Sequence, residues 1–139
     1  GKEVYAENCA DCHRLAGVGG GVGPDLSAAG AKGLKFNQVA LLKPSAEIAK
    51  GFETTVVTDK KGRKTTGLKT RETTTEVQIT KAGGEVVTIK KSVIRKMEVD
   101  KLKSLMPEDL TEVLTIKDYQ DLMSFMMLQK GAENKAAAK

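Results

Sequence analysis

The chain has 139 residues, enough for one domain with a single core, and its 40% hydrophobic and 29% charged residues are ordinary for a folded protein. This composition argues against a wholly disordered chain, and no stretch approaches the ~18 apolar residues of a membrane span. The formal charge of +5 is concentrated between residues 51 and 103, which carry 13 basic and 7 acidic side chains. Such a basic stretch can meet an acidic protein, nucleic acid or only solvent.

The first fifty residues predict short helices separated by loops. Residues 2–16 place apolar side chains near one helical face, and the next seven residues, 17–23, include five glycines and must be a loop. Residues 36–42 predict a short apolar helix, and Pro44 can begin another that ends at Gly51. No signal peptide precedes the first helix, so we expect a trimmed or excised product.

The character of the chain changes at Phe52. Between residues 52 and 99, 21 of 48 residues are Thr, Val or Ile, whose branched side chains favour strands. Turn signals separate these runs and predict five short strands, near 53–58, 63–71, 74–80, 85–90 and 94–99. We expect a small, strongly bent antiparallel sheet, for which an SH3- or Sm-like barrel is one arrangement.

Helix returns at the C-terminal end of the chain. Thr115 and Asp118, three residues apart, resemble a capping box, and apolar residues then recur at helical spacing up to Lys130. Residues 131–139 lack an apolar pattern and predict a frayed tail or linker.

The order of these elements predicts the domain organisation and an α+β fold class. We expect a single, mainly α domain over residues 1–130, with residues 52–100 as an inserted β subdomain.

Two cysteines and the only histidine form a cluster after the first turns of helix. Cys9, Cys12 and His13 have the Cys-x-x-Cys-His spacing of a c-type haem attachment site. Two thiols three positions apart on a helical turn face the same edge of the porphyrin and can add across its two vinyl groups. The next residue, His13, then lies beneath the iron as its proximal ligand. The sequence therefore predicts one covalent haem c.

Three other interpretations of this cluster fit less of the sequence. A thioredoxin-like redox pair needs a preceding strand, whereas a helix is predicted before Cys9. A structural zinc site needs four Cys or His ligands, and the chain has three. A disulfide or two idle thiols would leave His13 unexplained.

An electron-transfer haem needs a sixth iron ligand, and methionine is the natural donor in a chain with one histidine. Met97 falls in the last predicted strand, and three further methionines fall on the terminal helix, where methionine is usually flexible core filler: Met123, Met126 and Met127. Met106 precedes Pro107, which stiffens its loop. We predict Met106 as the distal ligand, with another methionine or an open site as the alternatives.

The loop that follows the cysteine cluster contains Gly23, Pro24 and Asp25. An imidazole bound to a metal usually donates its other N–H to a carbonyl or carboxylate, which fixes the ring. The carbonyl of Pro24 is a candidate acceptor from His13, although an ordinary turn would have the same sequence.

Taken together, Cys9–His13, Gly23–Leu26, Met106–Pro107 and a terminal helix with Tyr119 resemble a class I cytochrome c. The resemblance implies that Cys9 and Cys12 are the thioether residues and that Pro24 supplies the carbonyl to His13. In the same family, His13 is the proximal ligand and Met106 the distal ligand. The first helix, with Gly1 and Tyr5, would cross the last helix near Tyr119 and Leu122.

The Gly-Pro-Asp-Leu, Leu-Leu-Lys-Pro-Ser and Ser-Leu-Met-Pro stretches and the Thr-rich segment resemble, more narrowly, the planctomycete/verrucomicrobial-type haem-binding domain. In that domain a cytochrome c core, often part of a larger protein, carries a β segment between its proximal and distal halves. The resemblance spans residues 1–130. It implies redox protein partners and a periplasmic or otherwise extracytoplasmic location.

These observations predict one-electron transfer, with the iron cycling between Fe(III) and Fe(II) while both ligands stay bound, and no enzymatic activity. The alternative is a haem-based sensor or small-gas binder from which Met106 departs. A nucleic-acid-binding β module fits less well, because Phe52 is the only aromatic residue available there for base stacking. We also expect the basic residues of the β segment to attract an acidic redox partner: Lys60, Lys61, Arg63, Lys64, Lys90, Lys91, Arg95 and Lys96.

Overall fold

The structure is a computed structural model that describes residues 1–131. The helices in this range are α1 (Lys2–Asn8), α2 (Leu34–Leu42), α3 (Leu110–Val113) and α4 (Ile116–Met127), with 3-10 turns at Ala29–Lys32 and Lys91–Val93. The strands are β1 (Arg14–Leu15), β2 (Val18–Gly19), β3 (Thr54–Asp59), β4 (Lys64–Glu72), β5 (Glu76–Thr80), β6 (Val86–Lys90) and β7 (Ile94–Asp100). The predicted tail lies, apart from Gly131, outside the described residues.

The helices share one core, whose buried members are Tyr5, Ala29, Leu41, Leu122, Met123 and Met126. Helix α1 crosses α4, and the rings of Tyr5 and Phe125 lie 5.7 Å apart between centroids. The two backbones approach closely at Gly1, because a Cβ there would collide with the Asp121 carbonyl oxygen and with Phe125. The first and last helices therefore cross as expected, at Asp121 and Phe125 on either side of Leu122.

Helix α4 begins at the predicted cap. The Thr115 hydroxyl accepts a hydrogen bond from the Asp118 backbone N–H, and the Asp118 carboxylate accepts one from the Thr115 N–H, both at 3.0 Å. The helix ends at Met127 instead of Lys130, because the chain then turns toward the 3-10 segment, where the Gly30 N–H donates to the Gln129 carbonyl.

The five-stranded sheet lies in sequence between α2 and α3, with the order β6-β5-β4-β3-β7 and all pairs antiparallel. It has a core of its own, formed by Val57, Val77 and Ile79. Register shifts at Thr58/Asp59 and after Lys69 bend the strands. The predicted antiparallel sheet is confirmed, with each strand boundary within two residues of its expected position. Within residues 1–131, no pairing of β6 with β7 closes the sheet into a barrel.

Two predictions about the helical part are wrong. Helix α1 ends at Asn8 instead of continuing to residue 16, because the chain folds back and the Gly20 N–H donates to the Ala10 carbonyl. The helix expected from Pro44 to Gly51 is replaced by turns. There the Ser45 hydroxyl accepts from the Ser104 N–H instead of capping a helix. The haem-domain part is thus less helical than expected, and the whole chain is mixed α+β.

Among residues 1–131, the longest helix has 12 residues, and none is long and apolar enough to cross a membrane.

Candidate functional site

A cavity of about 290 Å³ opens beside the helical core and is lined largely by apolar side chains. Cys9, Cys12 and His13 line it, and so does Met106 from the loop before α3. The cavity therefore brings together residues that the sequence placed in separate motifs. Apolar side chains complete much of the wall: Val22, Leu26, Phe36, Ile48, Phe52 and Leu105.

The cysteine cluster forms tight turns directly after α1. The Cys9 N–H donates to the Tyr5 carbonyl at 2.8 Å, and the His13 N–H donates to the Cys9 carbonyl at 2.9 Å. These bonds continue the direction of α1 for about one further turn, which is why Cys9, Cys12 and His13 meet the same cavity. Both cysteines are half-buried and are not joined by a disulfide.

The two thiols are not activated as nucleophilic thiolates. Burial raises the pKa of Cys9 to about 11, with a further contribution from the neighbouring Cys12. Burial also raises the pKa of Cys12, and the Asp11 carboxylate adds to this shift. A thioredoxin-like redox pair depends on a thiol whose pKa is lowered. The raised pKa values therefore disfavour that alternative.

The imidazole of His13 is fixed by the loop that follows. Its Nδ1 lies 2.7 Å from the carbonyl oxygen of Pro24. Because a carbonyl oxygen can only accept, Nδ1 carries the proton in this contact, and in the neutral imidazole the free lone pair is on Nε2. Gly23 lies against the same ring, and a Cβ at this position would collide with the imidazole. The backbone carbonyl of His13 is also anchored, since it accepts from the Tyr5 hydroxyl at 3.1 Å.

The loop that carries Met106 is tied to the segment after α2. The Ser104 hydroxyl accepts from the Met106 N–H at 3.1 Å, and the Ser104 N–H donates to the Ser45 hydroxyl at 3.0 Å. A second bond joins the Thr54 hydroxyl to the Lys103 carbonyl at 2.8 Å. These contacts hold the loop at both the sheet and the helical side.

Met106 differs from the other methionines in its position. All five methionines of the sequence fall within residues 1–131, and only Met106 lines the cavity. Met123 and Met126 are buried in the helical core, whereas Met97 is 38% exposed on β7.

Sequence reasoning missed several residues of this site. Ala82, in the turn between β5 and β6, lines the cavity, and the Cys12 thiol donates to its carbonyl oxygen at 3.2 Å. Lys32 also lines the cavity, with its Nζ 4.7 Å from the centroid of the Phe36 ring. Nothing in the local sequence of either residue signals its place in the cavity wall, because the cavity forms only when segments distant in sequence fold together.

Comparison with protein families identifies the site. A family model described as Cytochrome c matches residues 1–80, more than half of the chain. The chain belongs to the cytochrome c family. A search of curated proteins gave no match. The cytochrome c match includes the cysteine cluster and Pro24 and ends before Met106.

The cofactor follows from this membership. Cytochromes c bind haem c covalently through a Cys-x-x-Cys-His motif, which Cys9, Cys12 and His13 fit, and family membership indicates haem-based electron transfer. The cavity suits this group, because it offers two thiols, an imidazole nitrogen with a free lone pair and a thioether inside an apolar wall. Lys32 adds a positive charge on the wall, which suits the anionic propionates of haem.

Proposed function

We propose that this cytochrome c is a one-electron carrier, or the electron-transfer domain of a larger protein, with His13 and Met106 as the axial ligands of iron. The observation that supports this proposal is the shared cavity, since an imidazole nitrogen and a thioether from opposite ends of the chain line it together. When bound, the haem supplies an iron that changes between Fe(III) and Fe(II).

His13 is prepared for iron binding by its hydrogen bond to Pro24. The bond at Nδ1 selects one tautomer and orients the ring, so that Nε2 is the nitrogen available to a metal. Gly23 leaves room for this orientation because it has no side chain.

Met106 is held by hydrogen bonds that run through Ser104 and by the proline that follows it. Ser104 bonds both to Met106 and to Ser45, and Pro107 restricts the chain on the far side. A loop fixed in this way keeps the thioether in one position in both oxidation states. Because a thioether stabilises Fe(II), His–Met ligation raises the reduction potential above that of a bis-His haem.

We infer that the partners are redox proteins with acidic surfaces. Lys64 on β4 and Lys96 on β7 both pair with Thr58 of β3, the strand between them, so both extend from the same face of the sheet. Lys60 and Lys61, in the adjacent turn, add further charge, and no ion pair is formed by these two or by Lys64 in the described chain.

Some of the eight basic residues expected to attract an acidic partner are neutralised by neighbouring carboxylates. Three of its eight cations form ion pairs with neighbouring carboxylates: Arg63 with Asp59, Lys91 with Glu72 and Lys96 with Glu98. The other five form none of the described ion pairs, and three of these five, Lys60, Lys61 and Lys64, lie at the β3–β4 turn, whereas Lys90 and Arg95 lie at the end of β6 and in β7. We propose that this turn speeds the encounter with an acidic partner.

We further propose a periplasmic or otherwise extracytoplasmic location, in keeping with most cytochromes c, and no enzymatic activity. The support for the second point is family membership, since cytochromes c are usually electron carriers.

The test of axial ligation is a comparison of wild type with Met106→Ala. We expect Met106→Ala to keep its haem through acid–acetone extraction but to lose the ferric sulfur-to-iron absorption band and to have a lower reduction potential. Met97→Ala, on the exposed sheet, is the matched control and should retain the band. Survival of the band in Met106→Ala would refute the assignment. Rapid binding of carbon monoxide by ferrous wild type at neutral pH would instead favour the gas-binding alternative.

A further inference from the structure

The turn that joins β5 to β6 is a small, well-tied unit, and it is called here the 81–85 turn. The Lys81 N–H donates to the Glu85 carbonyl at 2.8 Å, and the Gly84 N–H donates to the Lys81 carbonyl at 2.9 Å. The side chains of Lys81 and Glu85 form an ion pair of 3.3 Å across its base. The turn is therefore a fixed structure without net charge.

This turn is the place where the inserted sheet meets the haem cavity. Between residues 54 and 100, only Ala82 lines the cavity. Its carbonyl oxygen accepts from the thiol of Cys12, which is separated from it by 70 positions in the sequence. Thus the tip of one hairpin, and not a face of the sheet, lies over the second attachment cysteine.

Haem attachment changes the chemistry of this contact in a defined way. When a thiol adds across a vinyl group, sulfur forms a bond to one vinyl carbon and the thiol hydrogen passes to the other. Cys12 then has no proton to donate to Ala82, and the carbonyl faces a thioether instead. With haem attached, the turn would pack against the edge of the haem that carries the Cys12 thioether.

We propose that the 81–85 turn covers the haem edge at Cys12 and thereby controls the exposure of this edge to water and the exchange of electrons across it. The proposal rests on the electron-transfer function proposed above and adds a specific role for the inserted sheet. Excluding water disfavours the oxidised haem, which has one more positive charge than the reduced form, so the cover raises the reduction potential. Two glycines at the tip, Gly83 and Gly84, keep the cover thin.

Charge variants at Ala82 test whether the turn lies close to the haem. Because a nearby negative charge favours Fe(III) and a positive charge favours Fe(II), Ala82→Asp should lower the reduction potential and Ala82→Lys should raise it. Ser92→Asp and Ser92→Lys are the matched controls, since Ser92 is exposed, lies in the 3-10 turn between β6 and β7 and does not line the cavity. Shifts at residue 82 no larger than those at residue 92 would overturn the proposal.

A shortened hairpin tests whether the turn acts as a cover. Deleting Thr80, Lys81, Glu85 and Val86 keeps the pairing of Ile79 with Val87 and withdraws the tip by about 7 Å, the length of two strand residues. We expect a lower reduction potential and faster reduction by ascorbate, because the haem edge becomes open to solvent. An unchanged potential and unchanged ascorbate kinetics in a folded variant would refute the covering role.

The two proposals fail in distinguishable ways. If wild type lacks the ferric sulfur-to-iron band or exchanges no electrons, then the proposed function itself is wrong. If wild type has both properties but the residue 82 variants behave like the residue 92 variants, then only the role of the turn is wrong. The charge variants leave the hairpin intact, so they give the answer even if the shortened hairpin does not fold.

Discussion

Gly23 shows how a single residue without a side chain sets the geometry of the proximal site. A Cβ at this position would overlap the His13 imidazole, whose Nδ1 donates to the neighbouring Pro24 carbonyl. The glycine is thus required for close approach of the backbone and not for an unusual φ angle. The same ring cannot keep both its position and its bond to Pro24 if this space is filled.

We therefore predict that Gly23→Ala disturbs ligation by His13 while leaving the two thioether bonds intact. The ferric spectrum should show a smaller low-spin fraction, and the reduction potential should change, because the imidazole loses its fixed orientation. Gly21→Ala is the control, since a Cβ at Gly21 meets no atom within 4 Å. Wild-type spectra for both variants would contradict the prediction, because they would show that the His13 imidazole can move without loss of iron ligation.

At the scale of elements, α4 depends on its N-terminal cap. Both bonds of the capping box join Thr115 and Asp118, and the helix places Leu122, Met123 and Met126 in the core. Thr115→Ala removes one bond and should lower the free energy of unfolding by about 1 kcal/mol. Thr115→Ser keeps the hydroxyl, so its free energy of unfolding should fall much less. Equal losses in denaturant titrations of the two variants would assign the effect to the methyl group instead of the cap.

The sheet contains a carboxylate, Glu72, that links the end of β4 to the 3-10 turn after β6. Hydrogen bonds from Lys69 and Lys91 hold the pKa of Glu72 at about 2, well below its ordinary value. Because the pKa is lower in the folded state, the ion pairs stabilise the fold above about pH 4.5 and lose this effect as the pH falls toward 2. The group is exposed, so the effect is modest and salt-sensitive.

Glu72→Gln therefore should be less stable than wild type at pH 6 and equally stable near pH 2. Thermal unfolding at both pH values, at low and at high salt, measures the difference. Glu76→Gln is a suitable control on the neighbouring strand, because Glu76 forms none of the described ion pairs. A difference between Glu72→Gln and wild type that persists at pH 2 would contradict the assignment.

The elements also show which features a sequence can reveal. The strands were predicted closely because branched residues and glycine turns act within a few positions of each other. The missing helix after Pro44 depends on the bond from Ser104 to Ser45, across 59 positions, which local patterns cannot indicate. The same reason applies to the site, where the spacing of Cys9, Cys12 and His13 was informative but the contact with Ala82 was not.

For the whole molecule, the helical part and the sheet have different roles in the proposed electron carrier. The helical part contributes the thiols, the imidazole and most of the cavity, whereas the sheet contributes a neutral turn at the haem and a positive turn between β3 and β4. Charge over the haem edge would alter the reduction potential, while charge placed elsewhere alters mainly the rate of encounter. This separation leads to a prediction about ionic strength.

Reversing charge in the β3–β4 turn should slow electron transfer to an acidic acceptor without a matching change in reduction potential. Lys61→Glu/Lys64→Glu should reduce the second-order rate several-fold at 10 mM salt and far less at 0.5 M, since the screening length falls from about 30 Å to a few ångströms. Lys2→Glu/Lys130→Glu makes the same change in net charge on the helical part, where both residues are exposed. Stopped-flow measurements of the second-order rate at several ionic strengths compare the two double variants. An equal effect of both would mean that net charge alone governs the encounter and that the β3–β4 turn is not a docking surface.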